Sequence, residues 1–456
     1  MIEDLTNTSK IKLITESAYP LDETGDDYQP LLKLVGDATL LLLGESTHGT
    51  HEFYKERAEI TKLLIKNKGF NVIAIEGDWP DAYRVNRYIN RMYDHRPLDN
   101  DAVDALSGFQ RFPSWMWVNA DVVDFVGWLR SHNDSQRQER ANLVSFFGLD
   151  LYSMFNSAHD VIHYLERIDS SAAIRARARF SCLEQYGHDS QKYAYNTGLG
   201  LSPSCEIPVA LELSDLLRSA NDYRNHNGGS RAIEEFFNAE QNCRLVKSAE
   251  HYYRSLMRPG TSSWNIRDEH MMDTVEQIIE HHSKQGVRAK VVVWAHNSHI
   301  GDARATDMAN RGELNLGQLL RERYGPDMVN IGFTTSTGNV TAASSWNGSH
   351  EIKKIRTPMA ESYEDLFNKT NIPRFFLNLR DEGDLRAALS IPMLERAIGV
   401  VYKPEFEHQS HYFNASLPKQ FDAVIHLNHS RAVEPIDHIS HWSKGTEAPE
   451  SYPTGL

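Results

Sequence analysis

Thr39–Glu52 reads TLLLLGESTHGTHE, and its two halves carry different information. An apolar run stops at Gly44. Two glutamates, a serine and two histidines then crowd into the next eight positions. A run this short, bounded by glycine, reads as a buried strand rather than a helix. The pattern recurs. NVIAI (Asn71–Ile75) runs into EGDW, and LVSFFG (Leu143–Gly148) runs into LDLY. KVVVW (Lys290–Trp294) runs into AHNSH, and MVNIGF (Met328–Phe333) runs into TTSTGN. Segments apolar on both faces belong in a mostly parallel sheet covered by helices on both sides.

Helical patterns lie between these runs. Phe53, Ile60 and Leu64 fall on one face after the first strand, and Val122, Phe125, Val126 and Leu129 form a second stripe. Met271, Val275 and Ile278 form a third, before the fourth strand. The alternation predicts an α/β fold: a mostly parallel central sheet flanked by helices, with ligands gathered outside the carboxyl ends of the strands. About 140 residues separate the third and fourth strands, too many for one crossover helix. They predict a largely helical insertion over about 151–285, between core segments at about 35–150 and 286–436. The Pro/Gly/Ser/Glu-rich end, 437–456, reads as a loosely held tail. The Ser/Thr/Gly-rich run Thr334–Ser349 reads as a mobile flap beyond the fifth strand.

The chain has 456 residues, 40% of them hydrophobic and 24% charged, which is ordinary for a globular protein with a substantial core. A net charge of −14 argues against nucleic acid or an anionic membrane as partner and leaves a small-molecule substrate open. Cys182, Cys205 and Cys243 are an odd number, widely spaced, and are expected as free thiols. MIEDLTNTSK has no basic then apolar leader, and no apolar run reaches membrane-spanning length. The expectation is a soluble, cytoplasmic protein. Oligomeric state is not legible.

Three chemistries compete for the polar clusters. A serine elbow requires G-x-S-x-G, because the sharp turn tolerates only small residues around the nucleophile. In Gly44-Glu45-Ser46-Thr47-His48-Gly49 a histidine stands where the second glycine belongs, although Asp150 and His299 follow in an order a triad permits. Ser46 reads better as a turn or cap residue. A metal site could draw on Glu45, His48, Glu76, His296 and His299, but no H-E-x-x-H is present. The preferred reading uses such residues without metal: a histidine takes a proton from water, a glutamate orients it, and other histidines or an arginine stabilise the oxyanion. Trp115, Met116 and Trp117 in RFPSWMWVNAD, and Trp79 after Glu76–Asp78, are candidate walls for an apolar ligand. Ordinary core packing is the competing reading of each.

The motifs GESTHGTHEF, EGDW and WAHNSHIGDARATDM resemble those of the erythromycin esterase family. RFPSWMWVN, AEQNCRLVKSAEHYYRSL, SWNIRDEHMMDT, RGELNLGQLLRERYG and QFDAVIHLNHSRAVEP extend the likeness over roughly residues 35–436. The motifs are most similar to those of the family's broad, mostly uncharacterised branch. The resemblance implies an α/β core, a large helical portion and a deep cleft between them. It implies hydrolysis of an ester or lactone, of which macrolides are the best-known case, by histidine-activated water with no obligatory metal. By the same resemblance His48 is the base and Glu45, Arg57, Glu76, His296 and His299 are site residues.

The expectation is therefore a hydrolase in which Glu76 orients His48, while Glu45, Arg57, His296 and His299 position water and steady the oxyanion. Trp79, Trp115, Met116, Trp117 and Asp150 would contact substrate. No cofactor is expected, a divalent metal being the alternative. The competing functions are a metal-dependent hydrolase and a non-catalytic binder of haem or an apolar metabolite.

Overall fold

A computed structural model describes residues 6–21, 28–92, 98–137, 143–226, 229–258 and 263–436. Its strands are β1 (Tyr19–Pro20), β2 (Leu40–Leu43), β3 (Val72–Asp78), β4 (Ser145–Asp150), β5 (Val291–Trp294) and β6 (Met328–Ala343). They continue as β7 (His350–Ile355), β8 (Arg374–Asn378), β9 (Met393–Arg396), β10 (Tyr412–Ala415) and β11 (Ala423–Ser430). Nine form one sheet in the order β1-β8-β11-β6-β2-β5-β3-β4, with β7 paired to the far half of β6. β11, β6, β2, β5, β3 and β4 run parallel, whereas β8, β1 and β7 are antiparallel additions.

All four leucines of β2 and all four residues of β5 are buried, as a strand covered on both faces requires. Leu43 pairs with both Trp294 and Ile331, and Trp294 pairs with Ile75. The four strands are thus in register where β2 and β5 end, and β3 and β6 run on past that level. The three expected amphipathic stripes fall within the helices His51–Lys68, Ala120–Ser135 and Ser263–Lys284, each with those residues buried. Between β4 and β5 the described residues hold helices only, the longest being Ser230–Ser255 and Ser263–Lys284.

Two expectations are corrected. Thr334–Ala343 is not a flap but the second half of β6, and most of it is buried. The hydroxyls that make it look loop-like are bonded inward: Thr334 Oγ1 meets His426 Nδ1 at 2.8 Å, and Thr341 Oγ1 donates to the Val433 carbonyl at 2.8 Å. Cys182 and Cys205 are joined in a disulfide, leaving Cys243 as a buried free thiol. The helices that follow β4 bring the two cysteines together, which their separation of 23 residues does not reveal. The tail 437–456 lies outside the described residues. No helix among those described is long and apolar enough to cross a membrane.

Candidate active site

The turn after β2 is shaped by close packing. A Cβ on Gly49 would stand 1.9 Å from the Thr341 carbonyl oxygen, so only glycine lets the turn lie against β6. The turn delivers Glu45 and His48 to the carboxyl end of β2, both almost wholly buried. His48 Nδ1 lies 2.9 Å from Glu45 Oε1. Glu45 Oε2 in turn accepts from Arg57 Nη2 at 2.7 Å. Arg57 is fully buried, its guanidinium 4.5 Å over Tyr54 and 5.0 Å over Trp294. The carboxylate bonded to His48 Nδ1 is Glu45, three residues before the histidine, while Glu76, expected as the orienting partner, feels the His48 charge.

Glu76 serves a neighbouring network. A register shift between Ile75 and Asp78 bulges β3 there and re-aims its side chains. Glu76 Oε2 accepts from the His296 backbone N–H at 2.8 Å, and Oε1 accepts from Arg267 Nη2 at 2.9 Å. Burial opposes its charge. His299, Arg267 and His48 together outweigh burial and hold the carboxyl well below the usual range.

His296 caps the short helix Asn297–Ile300, and its Nδ1 accepts from the Ser298 N–H at 3.2 Å. That fixes the neutral tautomer with the proton on Nε2. Burial, followed by the nearby His48, keeps the ring far below the ordinary histidine value. Its Nε2 is buried without a hydrogen bond, and its ring centre lies 4.7 Å from that of His48. A neutral imidazole with an unspent N–H beside a second histidine is a donor ready for developing negative charge.

His299 is held differently. Its Nδ1 lies 3.0 Å from both oxygens of Asp268, its ring stacks on Trp264 at 4.2 Å, and Arg267 Nη1 is 3.0 Å from its Nε2. Burial would lower its pKa, but Asp268 and Glu76 more than offset this and raise it. Arg267 also forks onto Asp150, with Nε to Oδ1 at 2.9 Å and Nη2 to Oδ2 at 2.8 Å. A Ser46–His299–Asp150 triad is therefore not assembled, since Asp150 serves Arg267 and His299 serves Asp268. Ser46 uses its carbonyl to accept from the Ile398 N–H at 2.8 Å, and Thr50 rather than Ser46 stands at the start of the following helix.

Glu45, His48, Arg57, Glu76, His296 and His299 thus converge. Beside them lies a small cavity of about 30 Å³ whose walls include Glu76, Asp150, Met116 and Trp117. Trp117 is anchored by its Nε1, which donates to the Glu76 carbonyl at 3.1 Å. Trp79 and Trp115 do not line it. Trp79 stacks on Phe147 at 5.1 Å and donates to Asn238 Oδ1, and Trp115 is buried in the core on the other face of the sheet. Both are core tryptophans. Larger cavities, up to about 600 Å³, lie elsewhere and do not include these groups. Among the described residues no three His, Cys, Asp or Glu side chains are grouped to hold a metal ion.

Arg267, Asp268 and Trp264 are the site residues that sequence reasoning missed. A signal existed. Trp264, Asp268, Met271, Val275 and Ile278 recur at helical spacing, so a carboxylate stands on an otherwise apolar stripe.

The sequence profile of the erythromycin esterase family matches residues 65–430. The chain belongs to the erythromycin esterase family. Relatives are distant. Erythromycin esterase type II of Escherichia coli is 21% identical over 433 residues, covering 91% of this chain and 95% of the relative. Erythromycin esterase type I of the same organism is 23% identical over 309 residues, 65% of this chain and 70% of the relative. A putative hydrolase of Bacillus subtilis is 21% identical, covering 91% and 90%. The fold is shared with a Bacillus cereus protein at a TM-score of 0.77 and 21% identity, over 95% of this chain and 100% of that one. It is also shared with a mutant erythromycin esterase in its open conformation, at a TM-score of 0.62 and 17% identity, over 90% and 95%. Membership of this family suggests ester hydrolysis as the reaction class.

Proposed function

We propose that this erythromycin esterase family protein opens an ester or lactone of a small-molecule substrate by direct attack of water, with His48 as general base. The observation that carries the reading is the buried chain Arg57–Glu45–His48 beside the unpartnered N–H of His296. Glu45 holds the proton on His48 Nδ1, and Nε2 is the nitrogen that takes one from water. As water adds to the carbonyl carbon, His48 becomes an imidazolium whose charge Glu45 offsets, and Arg57 holds Glu45 in place. The carbonyl oxygen gains the negative charge, and His296 Nε2–H donates to it. Collapse of the tetrahedral intermediate breaks the bond to the alcohol oxygen, which takes the proton back from His48. The products are a carboxylic acid and an alcohol, joined in one molecule if the substrate is a lactone. Glu76, Arg267 and His299 hold the His296 backbone from behind.

The deciding experiment is His48→Asn, assayed on a panel of simple esters and lactones that includes macrolides. Turnover of any substrate found is expected to fall by about a hundred- to ten-thousand-fold with the fold intact. Full activity in the folded variant overturns the assignment. Chelation distinguishes the metal route. Activity should survive it, and loss reversed by zinc or manganese would hand water activation to a metal.

A further inference from the structure

The cavity beside the catalytic groups carries a second chemistry that water attack does not use. Asp78 and Asp81 belong to its wall, together with Phe109, Trp117 and Trp346. Asp78 is 4% exposed. One of its oxygens accepts from Arg111 Nε at 2.9 Å, and the other, Oδ1, is buried without a hydrogen bond. Asp81, half-buried in the first turn of the helix Trp79–Asn90, feels Asp78 as its strongest like charge, with Arg111 and Arg84 opposing. Burial, and after it Asp78, push the Asp81 carboxyl well above the usual range. With Glu76 and Asp150, these two carboxyls and three aromatic rings face a space in which four carboxyls stand against two guanidiniums, those of Arg111 and Arg267.

Of the two, Arg111 is the one that also reaches solvent. Its guanidinium lies 4.2 Å over the Tyr152 ring and 3.9 Å from Asp150 Oδ2, and the side chain remains 25% exposed. A planar cation against an aromatic ring, with carboxylates behind it, has the arrangement in which proteins hold organic cations. Unlike the fully enclosed Arg267, Arg111 has a path to solvent.

We propose that Asp78 and Asp81, with Phe109, Trp117 and Trp346, form a subsite for a protonated or quaternary amine of the substrate, whose place Arg111 takes when no such substrate is bound. The proposal rests on the ester-hydrolase reading, because the subsite adjoins Glu76 and Asp150 in the same cavity. Aromatic walls favour an organic cation over a hydrated metal ion, and a neutral group there would leave Asp78 Oδ1 unpaired.

The test compares two esters of the same acid that differ only in charge: 2-(dimethylamino)ethyl benzoate and its isostere 3-methylbutyl benzoate. The ratio of their kcat/KM values is unaffected by a general loss of activity or of folded enzyme. The parent should prefer the amine ester, and Asp81→Asn and Asp78→Asn should each lower the ratio about tenfold. An unchanged ratio in both variants, or a parent preference for the neutral ester, overturns the proposal. Calorimetric binding of phenyltrimethylammonium against tert-butylbenzene keeps this separate from the hydrolase reading. If neither ester is cleaved, saturable binding of the cation by the parent that Asp81→Asn abolishes still supports the subsite. Absence of such binding removes it.

Discussion

The hydroxyl of Tyr54 donates to the backbone carbonyl of His48 at 2.8 Å. The residue proposed as base is thereby tied to the first turn of the helix that carries Arg57. The same Tyr54 ring lies over Arg57 and meets Trp117 edge-on at 6.2 Å, so one side chain touches the base's backbone, the charge that supports it and the cavity wall.

Tyr54→Phe keeps the ring and removes the tie. It should lower kcat about tenfold while KM stays within about twofold, because a displaced base affects the reacting geometry more than binding. Steady-state kinetics on any turned-over ester checks this. A raised KM with unchanged kcat would make Tyr54 a substrate contact instead.

Glu45→Gln leaves the Arg57 guanidinium buried without its counter-charge. Such a loss costs about 3–5 kcal/mol of stability, and chemical denaturation should show it. Adding Arg57→Met should restore much of that stability but none of the activity, because a glutamine oxygen can accept the Nδ1 proton of His48 yet carries no charge to offset the imidazolium.

Ser46→Ala removes a hydroxyl to which no chemical role is assigned. Turnover should remain within about tenfold of the parent, and mass spectrometry of rapidly quenched reactions should find no acyl group on the protein. A folded but inactive variant, or an acylated Ser46, would replace water attack with a covalent route.

Glu56 predicts a pH dependence of stability away from the site. It is buried, accepting from the Tyr28 hydroxyl and from Arg374. Burial pushes its carboxyl from the ordinary 4.5 up to about 7, with Arg374 opposing. The folded protein therefore holds a proton there that the unfolded chain has released. The resulting stability is complete below about pH 4.5 and is lost as pH rises towards 7, amounting to about 3 kcal/mol. Melting temperatures measured across that range should fall less steeply with pH in Glu56→Gln than in the parent.

The sheet was legible where the chain is apolar on both faces: β2 to β6 each begin or end within a few residues of an apolar run. β8 and β11 escaped notice because RFFLN and AVIHLNHS mix polar residues into short segments and lack a glycine-bounded end. The site was half legible. Which histidines and carboxylates would meet followed from strand ends, but which carboxylate would face His48 did not. That depends on a bulge in β3 and on Arg57, neither of which spacing reveals. Arg57 and Asp268 share one mark: each is a charged residue on the buried stripe of an amphipathic helix, Arg57 among Phe53, Ile60 and Leu64. A charge can persist there only if a partner waits inside, which here is Glu45 or His299.

β5 lies between β2 and β3, although more than two hundred residues of chain separate it from either. A nascent chain released from the ribosome's tunnel as far as the last insertion helix therefore owns His48 and Glu76 but no strand to hold them side by side. β2 and β3 would wait with open edges of leucine, isoleucine and valine, the kind of surface that invites pairing with the wrong chain. The candidate site is closed by a late insertion into a gap rather than by growth at an edge. Truncations ending before Val291 are expected to aggregate instead of yielding a smaller, partly active enzyme.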